Sequence, residues 1–257
     1  MKYKATFSWR LKKFTFFFIK EDNIKDELIK ILEGSKPDGK EIGTVEVETI
    51  VGKISGKKIM NKDGDEVHMF LGIPYAQPPV NNLRFLPPRP MLSYDNFEAF
   101  EYGPLCPQMS FSMAGEEDCL HLNIYSKNAD ATNLKPVMFW IFGGGFVEGS
   151  GSSYDPTPLI KEDVLVVTIN YRLGALGFLT MGNDLAPGNL GIRDQILALT
   201  WVKTLIHHFG GDPTRVTIFG ESAGGMSSHA LTMSPKAYDL FSAAIFESGT
   251  MLKFKEV

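Results

Sequence analysis

The residues with the clearest chemical potential are Gly220-Glu-Ser222-Ala-Gly224, a serine framed by two glycines. A bare Gly-x-Ser-x-Gly arises by chance about 0.1–0.2 times in a chain this long at ordinary glycine and serine frequencies. Its setting makes it informative. The apolar run Val216–Phe219 leads straight into the motif, and a helix is expected to leave it directly after Ser222. A turn that tight would drive side chains at positions 220 and 224 into neighbouring backbone, hence the glycines. It pushes the Ser222 hydroxyl outward. The helix N-terminus meanwhile aims free amides and the positive end of its dipole at any negative charge forming there. This arrangement suits nucleophilic attack through a covalent intermediate.

A second glycine cluster, Phe142-Gly-Gly-Gly-Phe146, ends another apolar run. Alone it reads equally well as an ordinary turn. Two such turns at strand ends of one parallel sheet, where α/β folds place their sites, favour a shared site. The amides of Gly144, Gly145 and Ala223 are then the expected donors to a developing oxyanion.

The elements that must position these residues are legible after residue 118. Apolar runs at Leu120–Tyr125, Val137–Phe142, Val164–Asn170, Val216–Phe219 and Ala243–Phe246 predict buried strands. Between the third and fourth, Ile192, Ile196, Leu199, Val202, Leu205 and Ile206 recur at helical spacing over Leu190–Phe209. Strands apolar on both faces and alternating with helices predict an α/β fold with a mostly parallel sheet covered on both sides. Upstream, alternation over Thr44–Ile59 predicts a small antiparallel meander turning at Gly52 and Gly56. The proline-rich stretch 74–107 predicts ordered loop. Residues 1–40 read as a poorly ordered extension, with a short amphipathic segment at Ile24, Leu28, Ile31 and Leu32; residues 41–257 read as one partial domain of this α/β class.

Bulk properties narrow the function class. At 44% hydrophobic and 22% charged, the chain can bury a core, and a net charge of -4 gives no reason to expect nucleic acid as a partner. No stretch approaches the ~18 apolar residues of a membrane span. The apolar run Phe14–Ile19 is shorter than the ~7–15 residues of a secretory signal core. Cys106 and Cys119 read either as two thiols in a reducing compartment or as a bridge worth about 3 kcal/mol in the chain-entropy account. No His, Cys or carboxylate spacing suggests a metal, and neither a metal nor an organic cofactor is expected.

Several further segments run in order through the chain: Phe70-Leu-Gly-Ile-Pro-Tyr-Ala-Gln-Pro-Pro79, Leu83-Arg-Phe85, Glu117-Asp-Cys-Leu120, Trp140-Ile-Phe-Gly-Gly-Gly-Phe146, Asn170-Tyr-Arg-Leu-Gly-Ala-Leu-Gly-Phe178, Pro187-Gly-Asn189 and Phe209-Gly-Gly-Asp212. With Gly220-Glu-Ser-Ala-Gly-Gly225, they resemble the type B carboxylesterase and cholinesterase family. The resemblance implies an α/β-hydrolase fold, a small-molecule carboxylic ester as substrate, and Ser222 as the acylated nucleophile. It also implies oxyanion donors at Gly144, Gly145 and Ala223, and a disulfide between Cys106 and Cys119. A bridge would suit the secretory path, opposite to the weak N-terminal signal, so compartment is left open, as is oligomeric state.

The departures matter too. Phe142 stands where many members of the family have His or Tyr; only backbone donors are needed there. His121 replaces an aromatic residue and carries no expected catalytic role. No tryptophan lies between Cys106 and Cys119, so choline recognition by cation–π contact is not expected. In this fold the acid and the histidine follow the serine, yet residues 223–257 hold only His229 as histidine and Asp239, Glu247 and Glu256 as acids. His229 falls two turns along the expected helix and cannot reach back to Ser222. The triad is therefore expected to be incomplete in these 257 residues, the C-terminal strands of the fold to be missing, and Ala243–Phe246 to lie near an open sheet edge. The isolated chain is expected to be unstable and nearly inactive. The alternative reading is an inactive, esterase-like binding or adhesion protein, or a non-functional truncated product.

Overall fold

A computed structural model of the chain describes residues 36–109 and 113–251, together with two short upstream strands. The upstream strands are β1 (Lys4–Ala5) and β2 (Thr15–Phe17). The expected amphipathic segment at Ile24–Leu32 lies outside the described residues. The antiparallel meander consists of β3 (Gly39–Thr49), β4 (Gly52–Asn61) and β5 (Glu66–Pro74), with β6 (Asn96–Glu98) beside β4. The buried strands follow as β7 (His121–Ser126), β8 (Lys135–Ile141), β9 (Leu165–Ile169), β10 (Gly211–Glu221) and β11 (Ala243–Glu247). The helices are α1 (Thr157–Ile160), α2 (Gly174–Phe178), α3 (Leu190–Leu205) and α4 (Ala223–Met233).

These eleven strands join one sheet in the order β1-β2-β11-β10-β8-β9-β7-β5-β4-β3, with β6 attached to β4. Strands β9, β8, β10 and β11 run parallel and are predominantly apolar in their central parts, as cover on both faces of a parallel sheet favours. The run at Leu120–Tyr125 forms β7, which pairs antiparallel with both β9 and β5 and so welds the meander to the central sheet. The sheet is mixed, and mostly parallel over β7 to β11. With helices packed on it, this is the α/β-hydrolase fold.

Two local readings change. Gly56 is no turn: it sits within β4 opposite Val45, and a Cβ there would meet the Phe70 ring at 2.5 Å. The missing side chain leaves room for that ring. The strand β11 is also not an edge, because β2 pairs with it at Ala243 and Ala244. Period and composition of one segment cannot reveal a partner 200 residues away.

The core is continuous from the sheet to α3. Val137, Phe139, Ile141, Val167, Ile218 and Val202 are fully buried within it. Tyr94 and Trp201 anchor the proline-rich loop: the Trp201 indole donates to Tyr94 Oη at 2.9 Å, and the Tyr94 hydroxyl reaches the Pro74 carbonyl. Cys106 and Cys119 are disulfide-bonded with a Cα–Cα distance of 4.9 Å, as the resemblance implied. Both are buried. Replacing both by alanine should lower unfolding free energy by about 3 kcal/mol, the loop-closure entropy of a short bridge. Urea midpoints with and without reductant measure this; coincident midpoints would refute it.

Candidate active site

The strand order brings the two glycine turns together. β8 lies between β9 and β10, so the chain reverses its direction of travel across the sheet on going from β9 to β10. At such a switch point the loops leaving the carboxyl ends diverge and open a crevice. The loop after β8 carries Gly143–Gly145, and the turn after β10 carries Ser222.

Ser222 has φ 53° and ψ -118°, a backbone conformation that residues with a Cβ adopt only under strain. The strain is imposed by neighbours. A Cβ at Gly220 would land on the Ile141 carbonyl oxygen and on Gly224, and one at Gly224 on the same Ile141 carbonyl. The Ser222 amide donates to the Glu247 carbonyl at 2.9 Å, and its carbonyl accepts from Met226 at 2.9 Å to begin α4. The hydroxyl has no hydrogen-bond partner among the described residues.

Gly143 faces the elbow directly: a Cβ there would lie 2.6 Å from the Glu221 carbonyl oxygen and 3.3 Å from Ser222 Cβ. Gly144 and Gly145 have φ of 107° and 61°, conformations that glycine adopts freely. Neither their amides nor that of Ala223 has an acceptor among the described residues. Free amides at a strand end and a helix start can bind an anion without losing an existing bond.

Residues that sequence reasoning left without a role hold this loop in place. Tyr171 stacks on Phe142 with centroids 4.3 Å apart and donates its hydroxyl to the Phe142 carbonyl at 2.9 Å. Asn170 accepts from the Gly151 amide at 2.9 Å and donates to the Pro104 carbonyl at 2.9 Å. Gln108 exchanges two hydrogen bonds with the Gly149 backbone, at 2.8 and 3.1 Å, which ties the disulfide loop to the glycine loop. Asn170-Tyr-Arg at the end of an apolar run was the visible signal; its targets lie 19 to 86 residues away.

The histidines do not gather at Ser222. His229 lies on α4, where its Nδ1 accepts from the Met251 amide at 3.1 Å and its ring packs on Phe246 at 5.1 Å. His68 accepts from the Ala129 amide through Nδ1 and pairs with Glu66 through Nε2 at 2.9 Å. His121 is pushed below its ordinary pKa by burial. His207 and His208, in the 3₁₀ turn that follows α3, are half-buried, with His208 Nε2 wholly shielded. Among the described residues no three His, Cys, Asp or Glu side chains group as metal ligands do.

Glu221 and Glu247 occupy matching positions on β10 and β11, directly beneath the elbow. Burial holds both above the ordinary carboxylate range, and burial with the neighbouring Glu221 charge pushes Glu247 up to about 7. Unfolded, a glutamate ionises near ~4.3. Stability contributed by neutral Glu247 is therefore whole below that value and is lost as pH rises through about 7. Glu247→Gln stays neutral, so its melting temperature should gain on the parent between pH 5 and 8. Parallel pH profiles for the two proteins would remove Glu247 from this role.

The carboxylesterase family model matches residues 43–255. This chain belongs to the carboxylesterase family. Among family members, a carboxylic ester hydrolase of Bombus ignitus is 44% identical over 216 residues, covering 80% of this chain and 39% of its own length. Carboxylesterase 1D of Rattus norvegicus is 45% identical over 229 residues, covering 80% and 40%. A carboxylesterase structure from Geobacillus stearothermophilus superposes with a TM-score of 0.73 at 48% identity, covering 80% of this chain and 43% of that one. This carboxylesterase-family chain thus spans about 40% of the length of the curated relatives it matches.

Proposed function

We propose that the chain carries the nucleophile half of a serine-dependent carboxylic ester hydrolase. The observation that carries this reading is the strained Ser222 elbow beside a glycine turn whose amides are free. Ser222 Oγ attacks the ester carbonyl carbon. The carbonyl oxygen gains the negative charge and settles on the amides of Gly144, Gly145 and Ala223. The alcohol departs with a proton, leaving an acyl-serine that water cleaves to the free acid. Each oxyanion donor of this kind is worth about 2.7–4 kcal/mol of barrier.

No imidazole reaches Ser222 among the described residues, since His229 is occupied by Met251. The 257 residues alone are therefore expected to turn over esters slowly, at roughly the 10³–10⁴-fold over water that survives loss of a triad member. Covalent capture is the better test, because it needs one attack and no turnover. Incubation with an alkyl fluorophosphonate, followed by peptide mass spectrometry, should place an adduct on Ser222 that Ser222→Ala abolishes. Lack of any adduct on a chain shown to be folded would move the assignment to a non-catalytic, esterase-like protein.

A further inference from the structure

A cavity of about 790 Å³ opens at Gly145 and runs between α3 and α4. Its size is that of a small-molecule site, ~300–1,000 Å³. Phe146, Phe178, Ile192 and Ile196 give it apolar walls. Gly145 is two residues from Gly143, which touches the elbow, so the mouth lies within roughly 7 Å of chain from Ser222's neighbour.

Two cations also line it, Arg193 in the first turn of α3 and Lys236 just after α4, and no Asp or Glu does. Neither cation has a carboxylate partner among the described residues. The single acid of α3, Asp194, is turned inward and fully occupied by Arg172. An apolar chamber with two uncompensated positive charges and no negative one selects for an apolar chain that carries an anion.

We propose that this cavity binds the limb of an ester substrate that ends in a carboxylate, with the limb on the apolar walls and the anion at Arg193 and Lys236. The proposal rests on the hydrolase reading above for the word substrate, but its binding chemistry is separable. Uncharged esters of equal length would bind on the walls alone.

The test uses the 257-residue chain and a fluorescent pair, 11-(dansylamino)undecanoic acid and its primary amide, titrated at low and high salt. The acid is expected to bind about tenfold more tightly at low salt, a preference that shrinks as salt screens the charges. Arg193→Gln with Lys236→Gln should remove the preference while leaving amide affinity unchanged. Equal affinities, no saturable binding of either probe, or an acid preference indifferent to salt would each overturn the proposal. The salt series decides even if the double variant fails to fold. Acid preference without phosphonate labelling would sink the hydrolase reading and leave the anion site; labelling without acid preference does the reverse.

Discussion

Arg172→Met should destabilise the chain by about 3–5 kcal/mol, the usual cost of stranding one partner of a buried ion pair. Arg172 and Asp194 are 3% and 0% exposed. Two parallel bonds join them, from Nε at 2.8 Å and from Nη2 at 2.7 Å, and the Arg172 amide adds a third at 3.0 Å. The remaining guanidinium nitrogen donates to the Leu86 carbonyl at 2.9 Å. Methionine fills similar volume but leaves the Asp194 carboxylate without a countercharge. Against a typical total of about 5–15 kcal/mol, the loss is severe.

The damage should spread to the site. Arg172 follows Tyr171, whose hydroxyl holds the Phe142 carbonyl, and its own carbonyl is packed against Gly177 and Gly191. Loosening Arg172 frees the loop that carries the candidate oxyanion amides. Denaturant midpoints and phosphonate labelling rates should therefore fall together. Arg172→Met combined with Asp194→Leu should recover most of the stability, because no buried charge is then left unpaired. A single-variant loss below about 1 kcal/mol, or a double variant no better than the single, would count against the pair.

Ser222→Gly is the second large effect, with opposite signs for chemistry and stability. It removes the hydroxyl, so covalent labelling should vanish entirely. It also removes the Cβ from a backbone held at φ 53° and ψ -118°, strain of about 1–3 kcal/mol at a non-glycine residue. Part of that gain is returned, since glycine gives the unfolded chain about 0.5–1 kcal/mol more entropy. A net gain of about 1 kcal/mol over Ser222→Ala is expected, measured as a shift in urea midpoint at unchanged slope. The same result would identify the elbow as a place where stability is given up for function. A Ser222→Gly chain less stable than Ser222→Ala would show that the elbow is unstrained.

Local sterics and periodicity made much of this protein legible from its residues alone. Gly220 and Gly224 bracket Ser222 because any Cβ there strikes the Ile141 carbonyl, a constraint written into the spacing itself. The five apolar runs became β7 to β11 because strands of a sheet covered on both faces must be predominantly apolar. The helical spacing over Leu190–Phe209 became α3 and a final 3₁₀ turn.

What tertiary structure decided were the pairings between distant segments. Only strand order sets β8 beside β10 and so brings Gly143 against Ser222. Only register sets Glu221 opposite Glu247 and so adds the Glu221 charge to the burial that raises Glu247. The antiparallel run of β7, the in-sheet place of Gly56, the cover of β2 on β11 and the union of Arg172 with Asp194 belong to the same class. Sequence period reports which face of an element is buried. It carries no information about which element will bury it, and the partner is chosen by how the whole chain packs.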